Sequence, residues 1–272
     1  MPTQTEKAAR FLALHHEGTP LLMPNAWDRG SARLFASLGF AALATTSSGF
    51  AATLGQLDGT VTRDEAIAHG AWLAGATDLP VSADLENCFA DEPEGVAQTV
   101  RLALDAGLAG CSVEDFTGHA DAPIYDPVLA AERVAAAAEA AHNGPGQLVL
   151  TARAENYLRG RVDLADTIAR LQRYQDAGAD VLFAPGLIRA DQLRDLVAAL
   201  DRPVSVLALP AAPPVAELAE LGVRRISVGG AFAFAALDAA AQAARELRDA
   251  GTYEYWDRAR PGAAAAREAF GS

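Results

Sequence analysis

Short apolar runs alternate along this chain with longer stretches whose apolar residues recur at helical spacing. The short runs fall at 21–26, 41–47, 80–87, 111–115, 148–153, 181–183, 204–207 and 225–228. The helical stretches fall at 4–16, 27–37, 62–74, 95–108, 127–142, 163–177 and 190–200. Thr62 suits a helix cap and Pro127 a first helical turn, so two of the boundaries have a physical cause. Every apolar run is followed by a helix or a helical turn. Such alternation demands parallel strands, and eight repeats over about 230 residues predict the α/β class in its closed form, a (β/α)8 TIM-type barrel. Residues 4–16 are expected to cover one end, so the barrel domain takes in 1–250. Residues 251–272 remain as an extra C-terminal helical tail carrying Tyr253, Tyr255, Trp256 and Phe270. Those aromatic side chains need a burial site, either on the same barrel or, by exchange of the helix, on a neighbouring subunit.

Barrels of this kind place their chemistry at the C-terminal ends of the strands. Those ends supply Asn25, Ser47, Ser48 and Gly49, then Asp84 with Glu86, Glu114 with Asp115, and Arg153 with Glu155. The last three strands end at 184–186, 208–210 and 229–230 without a charged residue, which predicts a mouth polar on one side and apolar on the other. Strand periodicity points Asp84 and Glu86 the same way. Two acids on an inward face repel each other and lose hydration unless a cation lies between them. Oxygen ligands favour a hard ion, Mg²⁺ or Mn²⁺ in its place, held by Asp84, Glu86 and Glu114 directly or through water. Arg153 is expected to bind a carboxylate in bidentate fashion, with neutralisation of the acids as its rival role. The amides around Ser48 and Gly49, with Ser47 beside them, are expected to cradle an anion. Together these groups suit a 2-oxo acid whose enolate is formed or consumed. Asp58 and His119 lie in loops, where solvated side chains are common. Cys88 and Cys111 read as buried fillers.

Composition narrows the partners. The 272 residues are 51% hydrophobic and 21% charged, enough for one large core, and the net charge of −13 disfavours nucleic acid and anionic membranes. No run approaches the roughly 18 apolar residues of a membrane span. Two cysteines make no disulfide framework, so a reducing cytoplasm is the expected compartment. Lys7 is the single lysine and lies in the N-terminal helix, which excludes a Schiff-base aldolase.

Taken in order, these strand ends resemble the isocitrate lyase / phosphoenolpyruvate mutase superfamily, from about Leu21 to Gly230. The matching positions are Ser48-Gly49, the Leu54-Gly55-Gln56-Leu57-Asp58 loop, Asp84-Leu85-Glu86 in place of Asp-x-Asp, Glu114-Asp115 and Ala152-Arg153. The resemblance implies Mg²⁺, a small 2-oxo or 2-hydroxy carboxylate, and homotetramers built as dimers of helix-swapped dimers. It also implies that Asp58 lies near metal and substrate, where it assists proton transfer, and that Arg153 contacts substrate. The lyases carry Lys-Lys-Cys-Gly-His on the loop after the fourth strand, with the thiol as acid. Here residues 116–126 contain neither Cys nor Lys, leaving His119 or Tyr125 to supply that proton. The implied activity is a carbon–carbon lyase step beside a 2-oxo acid carboxylate. The alternatives are phosphonopyruvate mutase or hydrolase chemistry, oxaloacetate decarboxylation, and 2-oxo acid binding without turnover.

Overall fold

A computed structural model describes residues 2–144 and 146–271. Strands β1 (Leu21–Met23), β2 (Asn25–Ala26), β3 (Leu43–Thr45), β4 (Val81–Asp84), β5 (Gly110–Glu114), β6 (Val149–Arg153), β7 (Val181–Phe183), β8 (Val204–Leu207) and β9 (Arg225–Ser227) form one sheet. All pairs are parallel, in the order β1-β9-β8-β7-β6-β5-β4-β3-β2. Because β1 and β2 are successive pieces of one extended run, the nine strands close as eight staves. Pro24 divides that first stave; it has no N–H to give the ladder. Asn25 bridges the divided seam. Its Oδ1 accepts from the amides of Val228 and Gly229, each at 3.0 Å, and its Nδ2 donates to the Thr45 carbonyl at 2.6 Å.

The helices lie outside: α1 (Gln4–Leu14), α2 (Arg29–Ser37), α3 (Ser47–Thr53), α4 (Arg63–Ala74), α5 (Pro93–Asp105), α6 (Pro127–His142), α7 (Leu164–Asp176), α8 (Ala190–Ala198), α9 (Val215–Glu220), α10 (Ala231–Asp249) and α11 (Trp256–Phe270). Thr62 caps α4 in a reciprocal box with Glu65, and Pro127 opens α6, as the pattern predicts. One difference concerns Ser47, Ser48 and Gly49. Ser47 was expected to end the strand with Ser48 and Gly49 just after it, but with Thr46 as cap the three form the first turn of α3.

Helix α1 closes the N-terminal end. Phe11 and Leu14 join Leu21, Met23, Ala44, Val149 and Val181 in an apolar plug. Lys7 is buried, and its ammonium donates to the carbonyls of Ala74 at 3.0 Å and Thr77 at 2.7 Å. Burial holds its pKa down, yet it ties α1 to the end of α4 and does not line the cavity at the opposite end. Above the plug the interior turns polar: Ser82, Ser112, Thr151, Ser205, Arg225 and Ser227 are all buried. At the C-terminus, α11 folds back on α2 of the same chain, while α10 exposes Phe232, Phe234, Leu237 and Leu247. No helix among the described residues is long and apolar enough to cross a membrane.

Candidate active site

A cavity of about 190 Å³ opens at the C-terminal ends of the strands. A volume of that order suits a small metabolite. Ser47, Ser48, Asp84 and Arg153 line it, as the strand-end rule predicts, and so does Asp58, which the resemblance implied. Leu158, Phe183, Pro185 and Leu207 supply an apolar side.

Arg153 is the hub. Its Nη1 donates to Asp84 Oδ1 at 2.9 Å, its Nη2 meets Glu114 Oε2 at 2.9 Å, and its Nε and Nη2 reach Glu155 Oε1 at 3.1 and 2.8 Å. Register explains the convergence: β4, β5 and β6 are neighbours, and Glu114 stands directly beside Arg153 in the ladder. Burial works against charge on Arg153, but Glu114, Glu155 and Asp84 outweigh it and hold the guanidinium protonated. Burial also lifts the Glu114 carboxyl well above the usual range, against the pull of Arg153. The second oxygen of Asp84 accepts from the Ser47 hydroxyl at 3.1 Å and the Ser47 amide at 3.3 Å.

Several expectations change. Strand β4 stops at Asp84, and Glu86 sits in the following turn at φ 51°. The two-residue alternation therefore ends before Glu86, and the premise that Asp84 and Glu86 share a strand face fails. Glu114 turns to Arg153 and does not line the cavity. Among the described residues no three His, Cys, Asp or Glu side chains gather into a ready-made cation cage. Gly49 lies behind the cavity wall. A Cβ there would meet Thr46 Cγ2 at 2.5 Å, Ala233 Cβ at 3.1 Å and Trp27 Cβ at 3.3 Å, so packing accounts for this glycine, and its amide donates to Thr46 Oγ1 at 3.2 Å rather than to the cavity. His119 is exposed on a small hairpin and does not line the cavity. Tyr125 donates its hydroxyl to Asp91 and stacks under Arg133 at 4.0 Å; burial and Asp91 push its pKa up to about 12, which suits a strut more than an acid. Asp115, grouped with Glu114 by position, is a buried brace bonded to Tyr174 Oη at 2.6 Å and Arg170 at 3.2 Å.

The donor set nonetheless suits a hard divalent cation. Asp84, Glu114 and Glu155 share one buried partner, Arg153, and Arg159 lies 3.3 Å from Glu155; Asp58 and Glu86 bring two further carboxyls close to them. Burial first, then the charges of Asp84 and Asp58, push the Glu86 carboxyl up to about 7. Oxygen ligands of this kind match Mg²⁺ better than a soft metal.

Two groups escaped the sequence reading. Glu155 was seen only as a strand-end neighbour of Arg153, yet it is fully buried and carries the guanidinium on two bonds. Arg225 was read as an ordinary strand residue, on a strand ending without charge, yet its side chain lines the cavity. The available signal was the alternation Arg225-Ile226-Ser227, which puts an arginine on the same inward face as a serine.

Residues 11–248 match the family model described as phosphoenolpyruvate phosphomutase. An uncharacterized protein of Mycobacterium tuberculosis is 39% identical over 241 residues, covering 88% of this chain and 89% of its own length. A protein of Corynebacterium glutamicum named as a probable 2-methylisocitrate lyase is 32% identical over 210 residues, 75% of this chain and 66% of its own length. Among solved structures, a Burkholderia cenocepacia J2315 protein named only as a lyase or mutase, its activity unassigned, superposes with a TM-score of 0.93 at 51% identity, covering 97% of this chain and 95% of its own.

Proposed function

The chain belongs to the phosphoenolpyruvate mutase / isocitrate lyase superfamily, and from that premise we propose that it is a Mg²⁺-dependent enzyme that makes or breaks a carbon–carbon bond beside a 2-oxo acid carboxylate. The observation that carries the proposal is the set of acids around Arg153, in charge excess, at the mouth of a cavity sized for a small metabolite. Asp84, which lines the cavity, would hold the cation directly, and Glu86 and Glu114, set back from it, through water, with Asp58 on the cavity wall. When bound, the cation supplies Lewis-acid polarisation of the 2-oxo group. The chain's own residues do the rest. Ser47 orients Asp84. Arg153 fixes the acids in place. Leu158, Phe183 and Leu207 exclude water from one side. Asp58, on the cavity wall, is placed to move a proton. Self-association through α10 and α11 fits the apolar side chains exposed there.

The test is turnover of a panel of small 2-oxo and 2-hydroxy acids with and without Mg²⁺. Activity that requires the metal and disappears in Asp84→Ala supports the proposal, and metal-independent activity or an active Asp84→Ala protein sinks it. Product analysis separates the chemistries: phosphate for phosphonopyruvate mutase or hydrolase relatives, CO₂ for decarboxylation, a new aldehyde or acid for carbon–carbon cleavage. A second reading, binding without turnover, has one observation in its favour. The 116–126 loop lacks a thiol, and His119 stands outside the cavity. Tight binding with no turnover of any panel member would establish it.

A further inference from the structure

Two arginines line the cavity, and their hydrogen bonding differs. Arg153 is engaged by three carboxylates. Arg225, on β9, is 4% exposed and has no carboxylate within ion-pair distance among the described residues. Its one protein partner is a neutral hydroxyl: Nη1 donates to Thr151 Oγ1 at 2.8 Å across the barrel. Its Nε is buried without any partner. Beside it in the ladder, Ser205 has a fully buried hydroxyl that is also unpartnered. His15, which feels the charge of Arg225, is no counterion; burial and Arg225 together hold its pKa down to about 3, so it stays neutral. Burial and the proximity of Arg153 bring Arg225 down to about 10, with Asp84 opposing, and the guanidinium remains charged at neutral pH.

A buried charge without a partner is among the costlier things a fold can contain. Here it lies in the wall of a cavity where a ligand can reach it. We propose that Arg225 is an anion subsite deep in the cavity that receives a carboxylate of the substrate. This deepens the proposed function and rests on it. The substrate then carries two anionic groups, one beside the acid-lined mouth and one reaching down to Arg225. The geometry suits a carboxylate: a guanidinium that no protein acid engages offers N–H donors to a carboxylate's oxygens, and Ser227 lines the cavity beside it.

Matched ligand pairs test this, with Mg²⁺ present: lactate against malate, and pyruvate against oxaloacetate, titrated by calorimetry into the wild type and Arg225→Met. The wild type is expected to prefer the dicarboxylate of each pair. Arg225→Met is expected to lose roughly 10- to 100-fold in dicarboxylate affinity, the worth of one charge-assisted contact, and to change monocarboxylate affinity by no more than about threefold. Equal weakening of both members, or no weakening, overturns the assignment. A second arm needs no substrate. Because the guanidinium is unpaired without ligand, Arg225→Met is expected to melt a few degrees higher than the wild type, about 2–6 °C. Formate is expected to raise the melting temperature of the wild type and not of the variant. If no panel acid binds but both melting results hold, the anion subsite stands and the 2-oxo acid proposal falls. A variant that melts lower and a wild type indifferent to formate make Arg225 a structural strut and refute the subsite. Formate stabilisation without any dicarboxylate preference refutes the substrate assignment.

Discussion

Removing the guanidinium at the hub is the sharpest test of how this site is held together. Arg153→Met keeps most of the side-chain volume and withdraws one positive charge from three acids. Side-chain exposures are 5% for Glu114, 0% for Glu155 and 19% for Asp84, so two of the three have almost no access to water. Contacts of 2.8–2.9 Å to a charged donor are worth about 1.5–3 kcal/mol each when buried. Deleting one member of a buried ion pair costs about 3–5 kcal/mol. Asp84, 19% exposed, is the least buried of the three and adds the least. The expected loss at pH 8 is therefore about 3–5 kcal/mol, roughly 6–15 °C in melting temperature for a chain of this size. The loss carries a pH signature. Burial already raises Glu114 above the normal carboxyl range, and without Arg153 nothing opposes that rise. A carboxyl with a raised folded pKa binds more protons folded than unfolded, so its stability falls as pH rises and returns on acidification. Urea unfolding of wild type and variant at pH 5.5 and pH 8 should show the gap narrowing at the lower pH. A loss below about 1 kcal/mol, or one equal at both pH values, would refute the view that Arg153 acts mainly as counterion to buried acids.

Two further predictions follow from the same packing and titration arguments. Gly49→Ala places a methyl group 2.5 Å from Thr46 Cγ2 and should destabilise the fold by about 1–3 kcal/mol; a thermal melt unchanged from wild type would show that the α2–α3 wall is looser than described. His15 and His69 are buried and held down to about 3 and about 4, mainly by desolvation. The unfolded chain takes up protons near pH 6.5 that the fold refuses, so stability should fall as pH drops from about 6.5 towards 4; His69→Gln should flatten that limb in urea titrations, and an unaltered slope would count against it.

Much of the architecture is legible along the chain because it rests on local physics. Apolar runs of strand length alternate with helical periodicity, Thr62 and Pro127 mark helix starts, and parallel strands linked by helices close into a barrel whose strand ends face one mouth. That suffices to place Ser47, Asp84 and Arg153 on one cavity, and the family resemblance adds Asp58. What a strand pattern does not reveal is where it stops. Glu86 leaves the alternation because the backbone turns to positive φ immediately after β4. Nor does it reveal which charges neutralise each other. Arg153 meets Asp84, 69 positions earlier in the chain, only because the ladder sets β4, β5 and β6 side by side. Arg225 is left without an acid because the register gives it Ser205 and Thr151 instead. Sequence determined which groups the barrel carries and at which end they emerge. Tertiary structure alone decided which of those charges are already satisfied, since burial and cross-strand distance, not order along the chain, set the electrostatic partners.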